Sequence, residues 1–282
     1  MTNLQAWKQL LRYALVLFIG LSALRALPQQ GHSDADTGSG VEGARLADVQ
    51  SLHGTLFHVQ GVDLDRDHIW ITSVDAKNRR GYLHQFDRAT GTLERQIELT
   101  DGPRFHPGGI SIEGNSIWVP VAEYRPHSSA VLEEIDKRTL TVKQRISVAD
   151  HLGCVAATGH GLIAGNWSSR QLYVFDARGR QVRVIDNPSL NQYQDMKFAD
   201  GRLVASGTLS KDSGSIDWYA WPSMKLLRSL RSGHTSRGRA FTAEGMAFKG
   251  SDLYLLPEDG PSRLFHFVLQ RPFAQAEEPS AP

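Results

Sequence analysis

The chain has 282 residues, 40% of them hydrophobic and 22% charged, with a formal net charge of +1. No run of basic residues exceeds three, which excludes the clustered Lys and Arg that a nucleic-acid partner requires. The single cysteine, Cys154, excludes an intrachain disulfide, so redox compartment cannot be read from cysteine usage.

In chain order, residues 1–27 come first. Lys8 and Arg12 precede the apolar or small stretch Tyr13–Leu24, which Arg25 and Pro28 end. About a dozen residues is short for a membrane span but suits a secretory h-region. The segment is read as a signal peptide, with an uncleaved N-terminal membrane-anchor helix as the alternative. Ala23 and Ala26 are the candidate cleavage positions, and neither has a good small partner two residues earlier. The expected location is exported, periplasmic or extracellular, with membrane association if the head is retained. Residues 28–43, rich in Gly, Ser and Asp, are expected to form a flexible linker, and residues 271–282 a disordered tail.

Between them, residues 44–270 carry a fivefold repeat. Its copies are His58-Val59-Gln60-Gly61-Val62, His106-Pro107-Gly108-Gly109-Ile110, His151-Leu152-Gly153-Cys154-Val155, Gln192-Tyr193-Gln194-Asp195-Met196 and Thr242-Ala243-Glu244-Gly245-Met246. Their fourth residues stand 48, 45, 41 and 50 positions apart. A repeat of that length built from short strands predicts an all-β, five-bladed β-propeller. Each motif reads as the innermost strand of a blade. The second strand follows after a polar turn, as in Ile69–Thr72, Ile117–Pro120, Leu162–Gly165, Leu203–Ser206 and Leu253–Leu256. The third ends in an aromatic or aliphatic residue, often followed by Asp: Leu83–Asp87, Leu132–Asp136, Leu172–Asp176. In Asp87-Arg88-Ala89-Thr90-Gly91 the carboxylate can accept turn N–H bonds, and Gly91 tolerates positive φ.

The fifth unit lacks a fourth strand. The strand-like segment Ala44–Leu52, upstream of the first unit, is expected to complete it, removing two exposed sheet edges. A six-bladed ring is the alternative, but it needs more strands than the sequence supplies. Trp70 and Trp118 occupy equivalent second-strand positions and read as packing between blades.

Innermost and second strands run antiparallel. The starts of the first and the ends of the second therefore share one end of the wheel. That mouth of the central channel should collect His58, His106 and His151, then Glu123, Tyr124, Arg125, Trp167 and Glu258, with Gln60, Gln194, Asp195 and Glu244 in the next layer. A concave end with convergent polar groups is where a small-molecule or protein ligand is expected. Three imidazoles from neighbouring blades could also hold a divalent metal, leaving an open position for substrate. The opposing reading is that histidine at a strand start only bonds the preceding loop. Cys154 reads as a small buried thiol. No Gly-x-Ser-x-Gly elbow is present.

From about Phe57 to Phe267 the chain resembles a bacterial propeller family catalogued as a domain of unknown function. The residues that carry the resemblance are Phe105–Ile110, Ile117-Trp118-Val119-Pro120-Val121-Ala122-Glu123-Tyr124-Arg125-Pro126, Asp150–Gly153, Asn187–Ser189 and Tyr193–Asp195. It implies a propeller, often exported, and brings no activity with it. Phe57–Val62 is more loosely similar to the Phe-Thr-Gln-Gly-Leu opening of plant-type glutaminyl cyclases, with one residue extra. That family carries glutamate on the next strand, where Ile69-Trp70-Ile71-Thr72-Ser73 has none. The expectation is an exported monomeric propeller that binds a small polar ligand or partner at the histidine-bearing mouth. The alternatives are a metal-dependent hydrolase or cyclase-like enzyme at the same place, and a non-catalytic interaction scaffold.

Overall fold

The computed structural model describes residues 38–271. The expected signal or anchor segment, most of the linker and the tail beyond Arg271 lie outside the described residues. Within them every regular element is a β-strand, and the strands form five blades around one axis. Blade 1 is β2 (His58–Leu64), β3 (His68–Asp75), β4 (Arg80–Asp87) and β5 (Leu93–Glu98). In blade 2 the innermost strand is broken into β6 (Arg104–Pro107) and β7 (Ser111–Glu113), followed by β8 (Ser116–Glu123), β9 (Ala130–Asp136) and β10 (Val142–Val148). Blade 3 is β11 (Leu152–Ala157), β12 (Gly161–Asn166), β13 (Gln171–Asp176) and β14 (Gln181–Asp186). Blade 4 is β15 (Gln192–Ala199), β16 (Arg202–Ser210), β17 (Ser213–Ala220) and β18 (Lys225–Ser232). Blade 5 is β19 (Gly245–Lys249), β20 (Asp252–Leu256) and β21 (Arg263–Leu269).

The early segment seals the ring as expected. β1 (Ala44–Ser51) pairs antiparallel with β21, from Ala44 opposite Leu269 to Ser51 opposite Arg263. The end of the expected linker is also tied down. Glu42 N–H donates to the Arg231 carbonyl at 2.8 Å, Gly233 N–H donates to the Gly40 carbonyl at 3.0 Å, and Val41 is buried. The reason is local: Val41 finds an apolar seat against Trp218, Leu230 and Phe241.

The period-2 alternation of each strand sends successive side chains to opposite neighbours. Along β3, Ile69 and Ile71 pack towards blade 5, while Trp70 packs against Ile110, Ile117 and Val119 of blade 2. Along β8, Trp118 faces Leu152, Val155 and Leu162 of blade 3. The result is five separate apolar layers, one at each blade interface. Both tryptophans are core residues, 1% and 8% exposed. Emptying such a site by truncation to Ala costs about 3–5 kcal/mol.

The turns follow their sequence signals. Asp87 accepts the Thr90 N–H at 2.7 Å, and Gly91 sits at φ +67°. Asp136 does the same for Arg138 and Thr139, each at 2.9 Å.

The waist of the wheel differs from expectation, because the central channel is closed there. A Cβ on Gly61 would lie 2.6 Å from Gly109 Cα, and one on Gly108 would lie 2.0 Å from the Gly153 carbonyl oxygen. A Cβ on Gly245 would lie 2.8 Å from Val62 N. Backbones meet at such distances only where a side chain is missing. Gly109 N–H donates to the Gly153 carbonyl at 2.9 Å, and Val155 N–H donates to the Gly109 carbonyl at 3.0 Å, so blades 2 and 3 share a short parallel bridge.

Candidate functional site

Asp195 belongs to this closed hub rather than to the mouth, which corrects its expected placement beside a ligand. It is fully buried. Its carboxylate accepts the N–H of Val62 at 3.2 Å, of Met196 at 2.8 Å and of Met246 at 3.0 Å, and it pairs with Lys197 Nζ at 2.7 Å. Lys197 Nζ also donates to the carbonyls of Ile110 at 2.6 Å and Met196 at 3.3 Å. Burial pushes the Asp195 carboxyl up to about 6, against the pull of Lys197. The pair stitches blades 1, 2, 4 and 5 across the axis. Gln60 is also withdrawn from solvent and donates to its neighbour's carbonyl, Val59 O, at 3.0 Å. Gln194 is half-buried, and its carbonyl oxygen abuts Gly109. Burial pushes the Cys154 thiol up to about 12, and it packs as a small apolar group.

Above the hub the mouth has two halves. The first is polar. His58 opens β2, and its Nδ1 lies 3.0 Å from Glu258 Oε2, in the loop after β20. The same carboxylate oxygen accepts the Val59 N–H at 3.0 Å, joining blades 5 and 1. Glu244, in the bend before β19, sets Oε1 3.7 Å from His58 Nε2, on the side away from Glu258. The Glu258 hydrogen bond raises the His58 pKa, with burial opposing and the charges of Glu244 and Glu258 assisting. Burial would raise Glu258, but the His58 hydrogen bond and charge hold its carboxyl below the usual range. Glu244 is different: burial pushes it up to about 8, with Glu258 assisting and His58 and Arg239 opposing. Its side chain is 13% exposed, and its closest charged neighbour is His58.

The second half is aromatic. His106 at the end of β6 stacks on Tyr124, with ring centroids 4.3 Å apart and planes at 12°. It also lies 5.3 Å from His151 and 5.9 Å from Trp167. His151 meets Trp167 edge-on at 4.5 Å and 74°. Tyr124 and Trp167 reach solvent, 41% and 39% exposed, whereas His106 and His151 are buried beneath them. Burial lowers His106 to about 3, with His151 and His58 adding repulsion, so the imidazole is neutral at physiological pH. Burial likewise lowers His151. Its Nδ1 lies 2.8 Å from the Glu123 carbonyl oxygen; a carbonyl only accepts, so the proton is on Nδ1. His106 Nδ1 is buried with no hydrogen-bond partner.

The three histidines therefore share one mouth, but not as a metal-binding set. Among the described residues no group of three or more His, Cys, Asp or Glu side chains is arranged to hold a metal ion. His58 is turned to the carboxylates, His151 to a backbone carbonyl, and His106 into the ring stack. Glu123 and Arg125 also serve their own hairpin. Glu123 pairs with Arg125 at 2.9 Å and accepts the Ser129 hydroxyl at 2.9 Å. Arg239 and Phe105 were missed by the sequence reading. Arg239 acts on the polar half from the exposed loop before β19, and Phe105 backs Tyr124 at 6.0 Å.

The opposite end of the axis holds a cavity of about 360 Å³ lined by Asp63, Arg66, Arg88, Lys137 and Lys197, among others. Its buried charges are already used. Asp63 accepts the N–H groups of Leu64 and Ile112, each at 2.8 Å, and Lys137 pairs with Asp65 at 3.0 Å.

Three solved structures similar to this chain each have a TM-score below 0.5. The RRP9 WD40 repeats share 11% identity over 77% of this chain and 62% of that one, with a TM-score of 0.47. The Dos1 propeller shares 12% over 82% and 57%, and Kuenenia stuttgartiensis hydrazine synthase 18% over 56% and 43%, both with a TM-score of 0.39. The chain thus spans less than two thirds of each of these proteins, and likenesses this low carry no argument. No curated protein matches the chain. The likeness to plant-type glutaminyl cyclases finds no support in these comparisons. Residues 72–189, which include His106, Glu123, Tyr124, Arg125, His151 and Trp167 but not His58, Glu244 or Glu258, match a family of unknown function (DUF6454).

Proposed function

We propose that this chain is an exported β-propeller that binds a small polar ligand at the histidine-bearing mouth. Export rests on the basic and apolar head, Lys8 to Leu24. The carrying observation for binding is the meeting of two incomplete halves at one mouth. Two aromatic rings stand exposed over buried imidazoles, beside a half-buried carboxyl, Glu244, whose nearest charged partner is His58 at 3.7 Å. A ligand with a polar head and an apolar body would match both halves. A metal-dependent hydrolase is less well supported, because the imidazoles are individually committed.

The test is a thermal-shift screen of small metabolites on the purified full chain, repeated on a His58→Ala, Trp167→Ala double variant. A ligand at a hundred times its Kd stabilises by about 2.7 kcal/mol. That corresponds to roughly 5–10 °C in Tm for a domain of this size. The expected result is a shift in the wild-type chain that the variant loses. Shifts that persist in the variant would place binding elsewhere, on the outer strands or side loops, as a scaffold would have it.

A further inference from the structure

We propose that the ligand of this mouth is a protonated organic amine, bound with its N–H groups on Glu244 and its charge against the faces of Tyr124 and Trp167; this rests on the mouth being the binding site. Three observations point there. First, the polar half lacks a donor, not an acceptor. Glu258 Oε2 already accepts from both His58 Nδ1 and the Val59 N–H. Glu244 has only His58 Nε2, at 3.7 Å, too long for a hydrogen bond. Arg239, the other cation that acts on it, forms no ion pair with either carboxylate among the described residues.

Second, the other wall of the mouth is a ring cluster whose inner members are neutral. With His106 and His151 favoured in the neutral form, the imidazoles of that wall do not repel a cation, and Arg125 beside Tyr124 is paired with Glu123. Exposed Tyr and Trp faces attract one through the ring quadrupole. Third, Glu244 and Glu258 both raise the Tyr124 pKa, after burial itself, so the carboxylates lie within electrostatic reach of the ring that would hold the cation. A neutral sugar could use the rings but would leave the charges unanswered. An anion would meet Glu258.

The chemistry predicts a proton balance. Burial pushes the Glu244 carboxyl up to about 8. An ammonium group placed on it favours the carboxylate, so the carboxyl O–H bond breaks and the proton leaves to solvent as the N–H···O bond forms. The charged groups facing Glu244 are His58 from β2, Glu258 from the loop after β20 and Arg239 from the loop before β19. Arg239 has no site for it, Glu258 is held below the usual carboxylate range, and the Glu258 hydrogen bond already favours the protonated form of His58, so solvent is the sink.

The experiment is calorimetric titration of the full chain at pH 7 with benzylamine, benzyl alcohol and benzoate, in two buffers of different ionisation enthalpy. Benzylamine is expected to bind at least roughly tenfold more tightly than the alcohol, with net release of a fraction of a proton that approaches one. Glu244→Gln, shaped like the protonated acid and so expected to fold, should lose that preference and the proton release together. Trp167→Ala should weaken the amine and leave the proton release of the remaining binding intact. Equal binding of alcohol and amine, or amine binding unchanged in Glu244→Gln, overturns the amine assignment. Benzoate or alcohol binding that Trp167→Ala removes and Glu244→Gln spares overturns the amine while keeping the mouth as a site. If no probe and no screened metabolite is sensitive to either variant, both readings fall.

Discussion

Two glycines of the hub make opposite predictions, although each stands third in its repeat. Adding a methyl group at Gly108 would place Cβ 2.0 Å from the Gly153 carbonyl oxygen and 2.6 Å from its carbon. Those are backbone atoms of the next blade and cannot swing away. At Gly153 the same methyl meets nothing closer than Asn166 O, at 3.7 Å. Neither glycine has a positive φ, so backbone strain does not enter. What remains is overpacking against a gain in the unfolded state. Overpacking costs about 1–3 kcal/mol. Forcing blades 2 and 3 apart also strains the Gly109 to Gly153 and Val155 to Gly109 hydrogen bonds, each worth about 0.5–1.5 kcal/mol. Against this, replacing Gly by Ala restricts the unfolded chain and stabilises by about 0.4–1 kcal/mol. Gly108→Ala should therefore lose roughly 1–5 kcal/mol, a Tm lower by roughly 2–20 °C. Gly153→Ala should be unchanged or gain up to about 1 kcal/mol. Urea unfolding followed by tryptophan fluorescence and by circular dichroism reads both. If Gly108→Ala is as stable as wild type, or if Gly153→Ala falls with it, the closed hub is wrong.

Lys197→Met strands the Asp195 carboxylate in the hub and should cost about 3–5 kcal/mol in urea unfolding; Asp195→Asn combined with Lys197→Met should cost less than Lys197→Met alone, and a double variant worse than the single would contradict the pairing. Removing residues 38–52 deletes β1 and bares the edge of β21, so the truncated chain should aggregate or melt without cooperativity by circular dichroism and gel filtration; a monomer with an unchanged melt would mean that β1 does not close the wheel. The mouth should show two opposed pH dependences in Tm. His106 is held at about 3, mainly by burial, and His84, buried in β4 of blade 1 away from the mouth, is held at about 4 and adds to the same acid limb. The unfolded imidazoles take up protons near 6.5 while the folded ones refuse them, so stability is full above that pH and is lost on acidification towards the folded values. Glu244, raised to about 8, acts in the other direction, because stability is full below the unfolded value of about 4.5 and is lost as pH rises through 8. His106→Phe should flatten the acid limb and Glu244→Gln the neutral one, and a profile that neither variant alters would refute the assignments.

The wheel was largely legible in the sequence because its signals are periodic. The five motifs, the second-strand tryptophans and the orphan segment from Ala44 each state a relation that any propeller must satisfy. The shared end of the three histidines followed from strand direction alone. The closed hub was not legible. Gly61, Gly108, Gly153 and Gly245 look like ordinary bulge or turn residues until five strands are brought to one axis. Asp195 was read as lining a channel because the channel was assumed open. Period 2 places Lys197 on the same face two residues on, and that pairing was available as a warning. Glu123 and Arg125 show a different limit. A carboxylate two residues from an arginine in a hairpin loop can serve a ligand or its own loop, and spacing does not distinguish them. Arg239 has no counterpart in the other repeats, so no rhythm could have singled it out.

The unusual protonation of the mouth follows from the closure beneath it. Third position in the repeat is Gln60, Gly108, Gly153, Gln194 and Glu244. Two of the five have no side chain, and at Gly108 that absence lets blades 2 and 3 bond directly. Drawing inner strands to backbone contact shrinks the ring on which the remaining three residues stand. Solvent cannot approach from below, since Asp195 and Lys197 fill the axis. A carboxyl at this level faces solvent on the mouth side, and the Glu244 side chain is only 13% exposed. Burial then dominates its titration, and the nearest cation, His58, is already matched by Glu258. An open-channel propeller with the same residues would hydrate Glu244 from both ends and leave it an ordinary carboxylate. If Gly108→Ala loosens the hub without unfolding the chain, the Glu244-dependent limb of the pH profile should therefore move towards the ordinary carboxylate range. A hub defect and a mouth titration at opposite levels of the wheel would then be one physical effect, and a limb that stays fixed would show that the mouth keeps water out by itself.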